Sequence, residues 1–212
     1  ATASGFGTPT IWLSGHALTQ PTFADFNNDG KTDVALYDNW SGEFRVALST
    51  GSAFGTPALW GSAAATAPGG AAVACRVDPA SVGSGDFNGD GVKDVFCKSV
   101  NPANPYQYIG ISNGTSAFTF SIFGALGCDT FDARTGAIDF DGDGKDDWFC
   151  MGYQNNVFSV FTSDGTQFLY PAFGYLDGSF CSSGGYILGD FNGDGRTDAA
   201  CNNGKVALST GR

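Results

Sequence analysis

Asp86-Phe87-Asn88-Gly89-Asp90-Gly91-Val92-Lys93-Asp94 puts oxygen-bearing side chains at its first, third, fifth and ninth positions and glycine at its sixth. The pattern returns as Asp25-Phe26-Asn27-Asn28-Asp29-Gly30-Lys31-Thr32-Asp33, as Asp139-Phe140-Asp141-Gly142-Asp143-Gly144-Lys145-Asp146-Asp147 and as Asp190-Phe191-Asn192-Gly193-Asp194-Gly195-Arg196-Thr197-Asp198. This is the layout of a calcium loop. Alternate residues turn their carboxylates inward, and the glycine permits a sharp turn from which the seventh residue offers its backbone carbonyl. One such stretch could be an ordinary Asx turn. Four, each ending in a ninth-position Asp, favour a metal. The expected ligands are therefore the side chains at positions one, three, five and nine and the carbonyls of Lys31, Val92, Lys145 and Arg196, for about four Ca²⁺.

Working outward, the twelfth position is Leu36, Cys97, Cys150 or Cys201, where a helix-loop-helix site would place Glu. The flanks read as strands: Val34–Tyr37, Val95–Cys97, Trp148–Cys150 and Ala199–Cys201 after the loops, with short apolar stretches such as Pro21–Ala24 and Gly185–Leu188 before them. A third, alternating stretch follows at Glu43–Leu48, Tyr106–Ile111, Asn156–Phe161 and Lys205–Leu208. A fourth opens on Phe at Phe54–Trp60, Phe118–Phe123 and Phe168–Phe173. Four strands per unit of about fifty residues is the signature of a propeller blade.

The fourth unit stops after its third strand. The missing stretch stands at the other end, where Ser4–Trp12 closely matches Ser52–Trp60. The expected architecture is an all-β, four-bladed β-propeller of four-stranded antiparallel blades, its ring closed by the N-terminal strand joining the last blade. It forms one domain over 1–212, with units of about 13–60, 61–124, 125–174, and 175–212 plus 1–12.

These repeats resemble the FG-GAP/VCBS family, the calcium-loop propeller repeats of integrin α-chain heads and many bacterial surface proteins. The motif D-F-N-G-D-G-x-x-D at Asp86–Asp94 and Asp190–Asp198 carries the resemblance, which with the flanking strands covers essentially the whole chain. It implies a β-propeller, calcium at the loops and an extracellular setting. Integrin heads have seven blades where this chain supplies four, so integrin ligand recognition does not carry over. Family members serve in adhesion, toxins, lectins and accessory domains of enzymes, and fold alone does not set function.

Composition agrees. The 212 residues include 32 Gly and carry a net charge of −11, and Glu43 is the single glutamate among 21 acids. Most Asp lie in the four loops, so the acidity is a metal signature and nucleic acid is not an expected partner. No apolar run is long enough to span a membrane. The six cysteines follow the repeat: Cys97, Cys150 and Cys201 each have a partner 20 or 22 residues upstream, in Cys75, Cys128 and Cys181. Repeat symmetry selects the pairs Cys75–Cys97, Cys128–Cys150 and Cys181–Cys201 among fifteen connectivities. Paired cysteines imply an oxidising compartment. A start at Ala1 and a single Met151 fit a processed, secreted protein. Asn39-Trp40-Ser41 and Asn113-Gly114-Thr115 are glycosylation sequons in turns.

No catalytic set can be assembled. His16 is the only histidine, and Asp38, Glu43, Asp78, Asp129, Asp132, Asp164 and Asp177 are scattered over turns. The expectation is a secreted, calcium-stabilised, non-enzymatic module of binding or adhesion, with a glycan or protein as ligand. Trp40 and Tyr106 are the candidate stacking residues, while Trp12, Trp60 and Trp148 read as core. The alternatives are a self-assembling surface or filament subunit, whose N-terminal strand completes a neighbour's last blade, and an accessory domain of a larger enzyme or toxin.

Overall fold

The computed structural model describes residues 8–16, 20–66, 75, 82–99, 106–124, 134–151, 157–169, 174–176, 179–181 and 185–211. They form four antiparallel sheets in chain order. The first holds β1 (Pro21–Ala24), β2 (Asp33–Tyr37), β3 (Glu43–Ala47) and β4 (Ala58–Ser62). The second holds β5 (Val82–Gly85), β6 (Asp94–Lys98), β7 (Gln107–Ser112) and β8 (Phe118–Gly124). The third holds β9 (Arg134–Ile138), β10 (Asp147–Met151), β11 (Phe158–Phe161) and β12 (Gly174–Leu176). The fourth holds β13 (Tyr186–Gly189), β14 (Asp198–Cys201) and β15 (Val206–Ala207). Neighbours in sequence are neighbours in each sheet, so every sheet is a meander. One 3₁₀ turn, Ala63–Thr66, follows the first sheet.

Each nine-residue loop joins the first two strands of its sheet. The loop's ninth residue opens the second strand, and every residue of β2, β6 and β10 is buried. A strand covered on both faces needs apolar side chains in both directions, which explains runs such as Asp147-Trp-Phe-Cys-Met151. The core is accordingly stacked between sheets. Phe26, Tyr37, Phe44, Trp60, Tyr108 and Phe118 pack between the first and second sheets. Phe87, Phe96, Phe123, Trp148 and Phe168 pack between the second and third, and Phe149, Phe158 and Val160 between the third and fourth.

The expected fourth strands begin later than drawn in two sheets. Phe54 and Phe168 make only single bridges, to Ser49 and Ser163, and regular pairing resumes at Ala58 and Gly174. In the first sheet Pro57 intervenes, and a residue without an N–H cannot extend the ladder.

Two hydrogen bonds recur wherever one sheet meets the next. The eighth loop residue donates its N–H to the first-position carbonyl of the preceding loop: Lys93 to Asp25 (3.3 Å), Asp146 to Asp86 (2.6 Å) and Thr197 to Asp139 (2.7 Å). A serine after the third strand donates its Oγ–H to the second-position carbonyl of that same preceding loop: Ser112 to Phe26 (2.9 Å), Ser163 to Phe87 (2.8 Å) and Ser209 to Phe140 (2.5 Å). Among the described residues no such bonds join Thr32 or Ser49 of the first sheet to Asp190 or Phe191 of the fourth. The ring closure expected of the N-terminal strand is therefore not seen, and Phe6 lies outside the described residues. Trp12 lies instead against the first sheet, its carbonyl accepting the Phe54 N–H at 3.0 Å and its ring edge-on to Phe54. It is 38% exposed, which corrects the reading of Trp12 as core; Trp60 and Trp148 are buried as expected.

Two of the three expected disulfides, Cys75–Cys97 and Cys181–Cys201, are formed. Cys150 is disulfide-bonded too, and its expected partner Cys128 lies outside the described residues.

Candidate metal centre

All four loops build the same scaffold of backbone donors around carboxylates. The first-position Asp caps its own turn. Asp86 accepts the N–H groups of Gly89, Asp90 and Gly91 (2.8–3.2 Å) and Asp190 the equivalent three, while Asp25 accepts those of Asp29 and Gly30 and Asp139 those of Gly142 and Gly144. The sixth-position glycines, Gly30, Gly91, Gly144 and Gly195, all have φ of 82–85°, a region costly for any other residue. The third-position oxygen of Asn27, Asn88, Asp141 or Asn192 accepts the fifth-position N–H, and the fifth-position Asp accepts the seventh-position N–H. These bonds fix the carboxylates and amides of positions one, three and five against the backbone of their own turn.

The ninth-position Asp has a further role that the sequence reading did not identify. Asp33, Asp94, Asp147 and Asp198 are at most 1% exposed. In each, Oδ2 accepts the second-position N–H at 2.9–3.1 Å and Oδ1 accepts the N–H of the junction serine at 2.7–2.8 Å. One carboxylate thus ties the loop to the turn after the third strand. The signal was available in the recurring Ser-x-Gly at Ser49, Ser112, Ser163 and Ser209.

Burial pushes the carboxyls of Asp94 and Asp147 up to about 7, against the N–H bonds that favour the charged form. It raises Asp33 and Asp139 as well. At the surface, the hydrogen bond from the Lys31 ammonium lowers Asp29, and the Gly195 N–H lowers Asp190.

In the third loop, Asp139, Asp141 and Asp147 each bring a carboxylate oxygen within 4.8 Å of the others, a grouping able to hold a metal ion. The other loops carry Asn at the third position. The fifth-position carboxylate is met by a neighbour in every loop: Lys31 on Asp29 (2.9 Å), Lys145 on Asp143 (2.6 Å), and the Asn88 and Asn192 amides on Asp90 and Asp194 (2.8 and 3.1 Å). Hard oxygen donors of this kind suit calcium or magnesium rather than softer metals.

No comparable constellation for catalysis appears among the described residues. Asp38 and Asp164 cap turns, Glu43 pairs with Arg45, and His16 is exposed. Asp78, Asp129, Asp132 and Asp177 lie outside the described residues. Of the proposed stacking residues, Trp40 is 77% exposed in the turn between β2 and β3. Tyr106 is half-buried, edge-on to Tyr108. No described helix is long and apolar enough to cross a membrane.

A family model described as FG-GAP-like repeat matches residues 25–97 and 139–201. No curated protein matches significantly. Among solved structures, a lectin of Agrocybe aegerita that recognises non-reducing terminal N-acetylglucosamine is similar over 90% of this chain and 49% of its own, with a TM-score of 0.64 and 21% identity. This chain thus spans about half the length of that lectin chain. The V. cholerae biofilm matrix protein Bap1 aligns over 91% of this chain and 30% of its own, at a TM-score of 0.40 and 17% identity.

Proposed function

Because this chain belongs to the FG-GAP-like repeat family, which matches it over residues 25–97 and 139–201, we propose that it is a calcium-stabilised β-propeller module of the extracellular space, binding a glycan or protein without catalysis. The observation that carries the reading is the fourfold loop, in which one backbone bonding scheme recurs each time. The ion would be held by Asp25, Asn27, Asp29 and Asp33; by Asp86, Asn88, Asp90 and Asp94; by Asp139, Asp141, Asp143 and Asp147; and by Asp190, Asn192, Asp194 and Asp198, with the carbonyls of Lys31, Val92, Lys145 and Arg196. Calcium supplies positive charge to an acidic turn and pins two strands at their hinge. The Lys31 and Lys145 ammonium groups now on Asp29 and Asp143 would have to give way to such an ion.

The extracellular assignment is supported by the disulfides, which persist in oxidising compartments. For the ligand, the lectin likeness supports the fold, and sugar recognition is that protein's own property. Trp40 adds an independent reason, since an exposed indole is a face on which a sugar ring stacks.

Metal analysis after dialysis in ~1 mM calcium, with glycan-array binding of the wild type and Trp40→Ala, tests both halves. About four calcium ions per chain, and array binding lost in Trp40→Ala, are expected. Fewer than about one ion rejects the loop assignment. Array binding unchanged by Trp40→Ala rejects this residue as the platform.

A further inference from the structure

The three junctions inside the chain follow one rule, and its two halves are left open at the ends. At each junction the second-position Phe of one loop packs on the next sheet. Phe26 lies edge-on to Phe118 at 5.7 Å and Phe87 edge-on to Phe168 at 5.8 Å. Phe87 also meets Phe123, the outer-strand end of its own sheet, at 6.3 Å. The counterpart in the fourth loop, Phe191, is 49% exposed. The first sheet offers the matching receptor: a cavity of about 200 Å³ lined by Ile11, Trp12, Leu13, Phe23, Val34 and Phe54. By register, Phe54 corresponds to Phe168 and Val34 to Trp148, two residues of the cluster that surrounds Phe87. Trp12 corresponds to Phe123: Phe54 donates its N–H to the Trp12 carbonyl as Phe168 does to that of Phe123 (3.0 and 2.8 Å). The N-terminal segment therefore sits on the first sheet as the outer-strand end of a blade preceding it.

The flanking chemistry agrees. At the first junction the inner strands meet through Thr22 Oγ1 and Ser84 Oγ, 3.3 Å apart. Their counterparts at the open ends are Ile187 and Phe23, 68% and 52% exposed, so an apolar pair replaces a polar one. Among the described residues the recurring junction bonds are made neither by the Thr32 N–H and Ser49 hydroxyl at one end nor by the Asp190 and Phe191 carbonyls at the other. Among the described residues Phe191, Ile187, Phe23 and Trp12 are exposed, and exposed apolar patches mark interaction sites.

We propose that the fourth sheet of one copy docks on the first sheet of a second copy. Phe191 enters the cavity lined by Trp12 and Phe54, and Ile187 meets Phe23. Residues 8–11 of the receiving copy, which lead into Trp12, then run beside β15 of the other. The contact is heterologous, so it propagates head to tail into a ring of copies or a filament.

The test uses the intact chain in calcium, with multi-angle light scattering and negative-stain microscopy on the wild type, Phe191→Asp, Phe23→Asp and their equimolar mixture. Both substitutions are at half-exposed positions, and matching circular dichroism and melting curves confirm that each variant is folded. Wild type should form concentration-dependent oligomers. Each variant alone should run as a monomer, with association weakened roughly a hundredfold or more, the scale for losing a central aromatic anchor. The mixture should give dimers, because Phe23→Asp keeps the donor face and Phe191→Asp keeps the receptor. A wild type monomeric at all concentrations, with both variants destabilised, indicates closure within one chain and overturns the proposal. So do oligomers that persist in both variants, or a mixture that stays monomeric.

Discussion

At the scale of single residues, Asp147 serves the fold and the proposed ion together, and mutation can separate the two. Its carboxylate accepts the N–H groups of Phe140 and Ser163, so Asp147→Ala leaves two donors without partners. At about 1–3 kcal/mol each, the variant should lose roughly 2–6 kcal/mol by urea denaturation even in chelator. Asp143 accepts the Lys145 N–H and ammonium within its own turn and is not buried. Asp143→Ala should be nearly neutral in chelator and lose about 1.4 kcal/mol at ~1 mM calcium, one site's worth by mass action at a Kd of ~0.1 mM. Equal losses for the two variants in chelator would remove the structural role from the ninth position. The pH dependence follows from the same burial. Asp94 and Asp147 hold their protons up to about pH 7 when folded, against an ordinary value of 3.8 when unfolded. Between those values the folded chain binds more protons, so their contribution to stability falls as pH rises through about 7. In chelator, melting temperature should therefore rise as pH is lowered from 8 to 6. In calcium the ion's added increment should shrink over the same range, because calcium requires the ionised carboxylates. A calcium increment independent of pH contradicts ligation by these two residues. The four loops were legible because their spacing is local. The bracket through Ser112 and Ser163 was not, because it depends on where a later turn lands in space.

At the scale of the strand, the order and pairing within each sheet were legible from alternation and turn residues, while one packing device was not. Gly83 stands directly across from Phe96, and Gly136 from Phe149. In each case the ring lies over the glycine, and an added Cβ would come within 2.5 Å of it. An aromatic covering a strand glycine shields backbone that would otherwise be open. A glycine in a strand reads locally as a weakness, so only the register reveals its partner. Gly136→Ala should cost about 1–3 kcal/mol, the usual penalty for overpacking, measured by chemical denaturation; a neutral result would mean that the Phe149 ring moves aside freely. The disulfides act within sheets as well. Cys75–Cys97 and Cys181–Cys201 span 22 and 20 residues, and opening either should cost about 3 kcal/mol in the chain-entropy model. Repeat symmetry made those pairs legible, with Leu36 marking the unit that lacks one. Non-reducing peptide mapping should recover both, together with Cys128 on Cys150. A bridge between sheets would break the symmetry argument.

At the scale of the molecule, four units and their sequence were legible, and the fate of the N-terminal strand was not. Its match to Ser52–Trp60 says which position in a blade it fills, but not which chain owns that blade. The four loops are also linked to one another, because Lys93, Asp146 and Thr197 each donate to the first-position carbonyl of the loop before. Calcium bound in one loop would therefore steady the junction to its neighbour, and the four sites should act on one cooperative unit. At ~1 mM calcium and a Kd of ~0.1 mM, four sites add about 6 kcal/mol, comparable with the ~5–15 kcal/mol net stability of a whole domain. For a chain of this length 1 kcal/mol moves the melting temperature by about 2–4 °C, so chelation should lower it by roughly 12–24 °C. Differential scanning calorimetry should show one transition that moves as a whole with calcium concentration. A transition that splits would mean that the loops stabilise their sheets separately despite the linking bonds, and one that stays in place would mean that the carboxylates hold these turns without an ion.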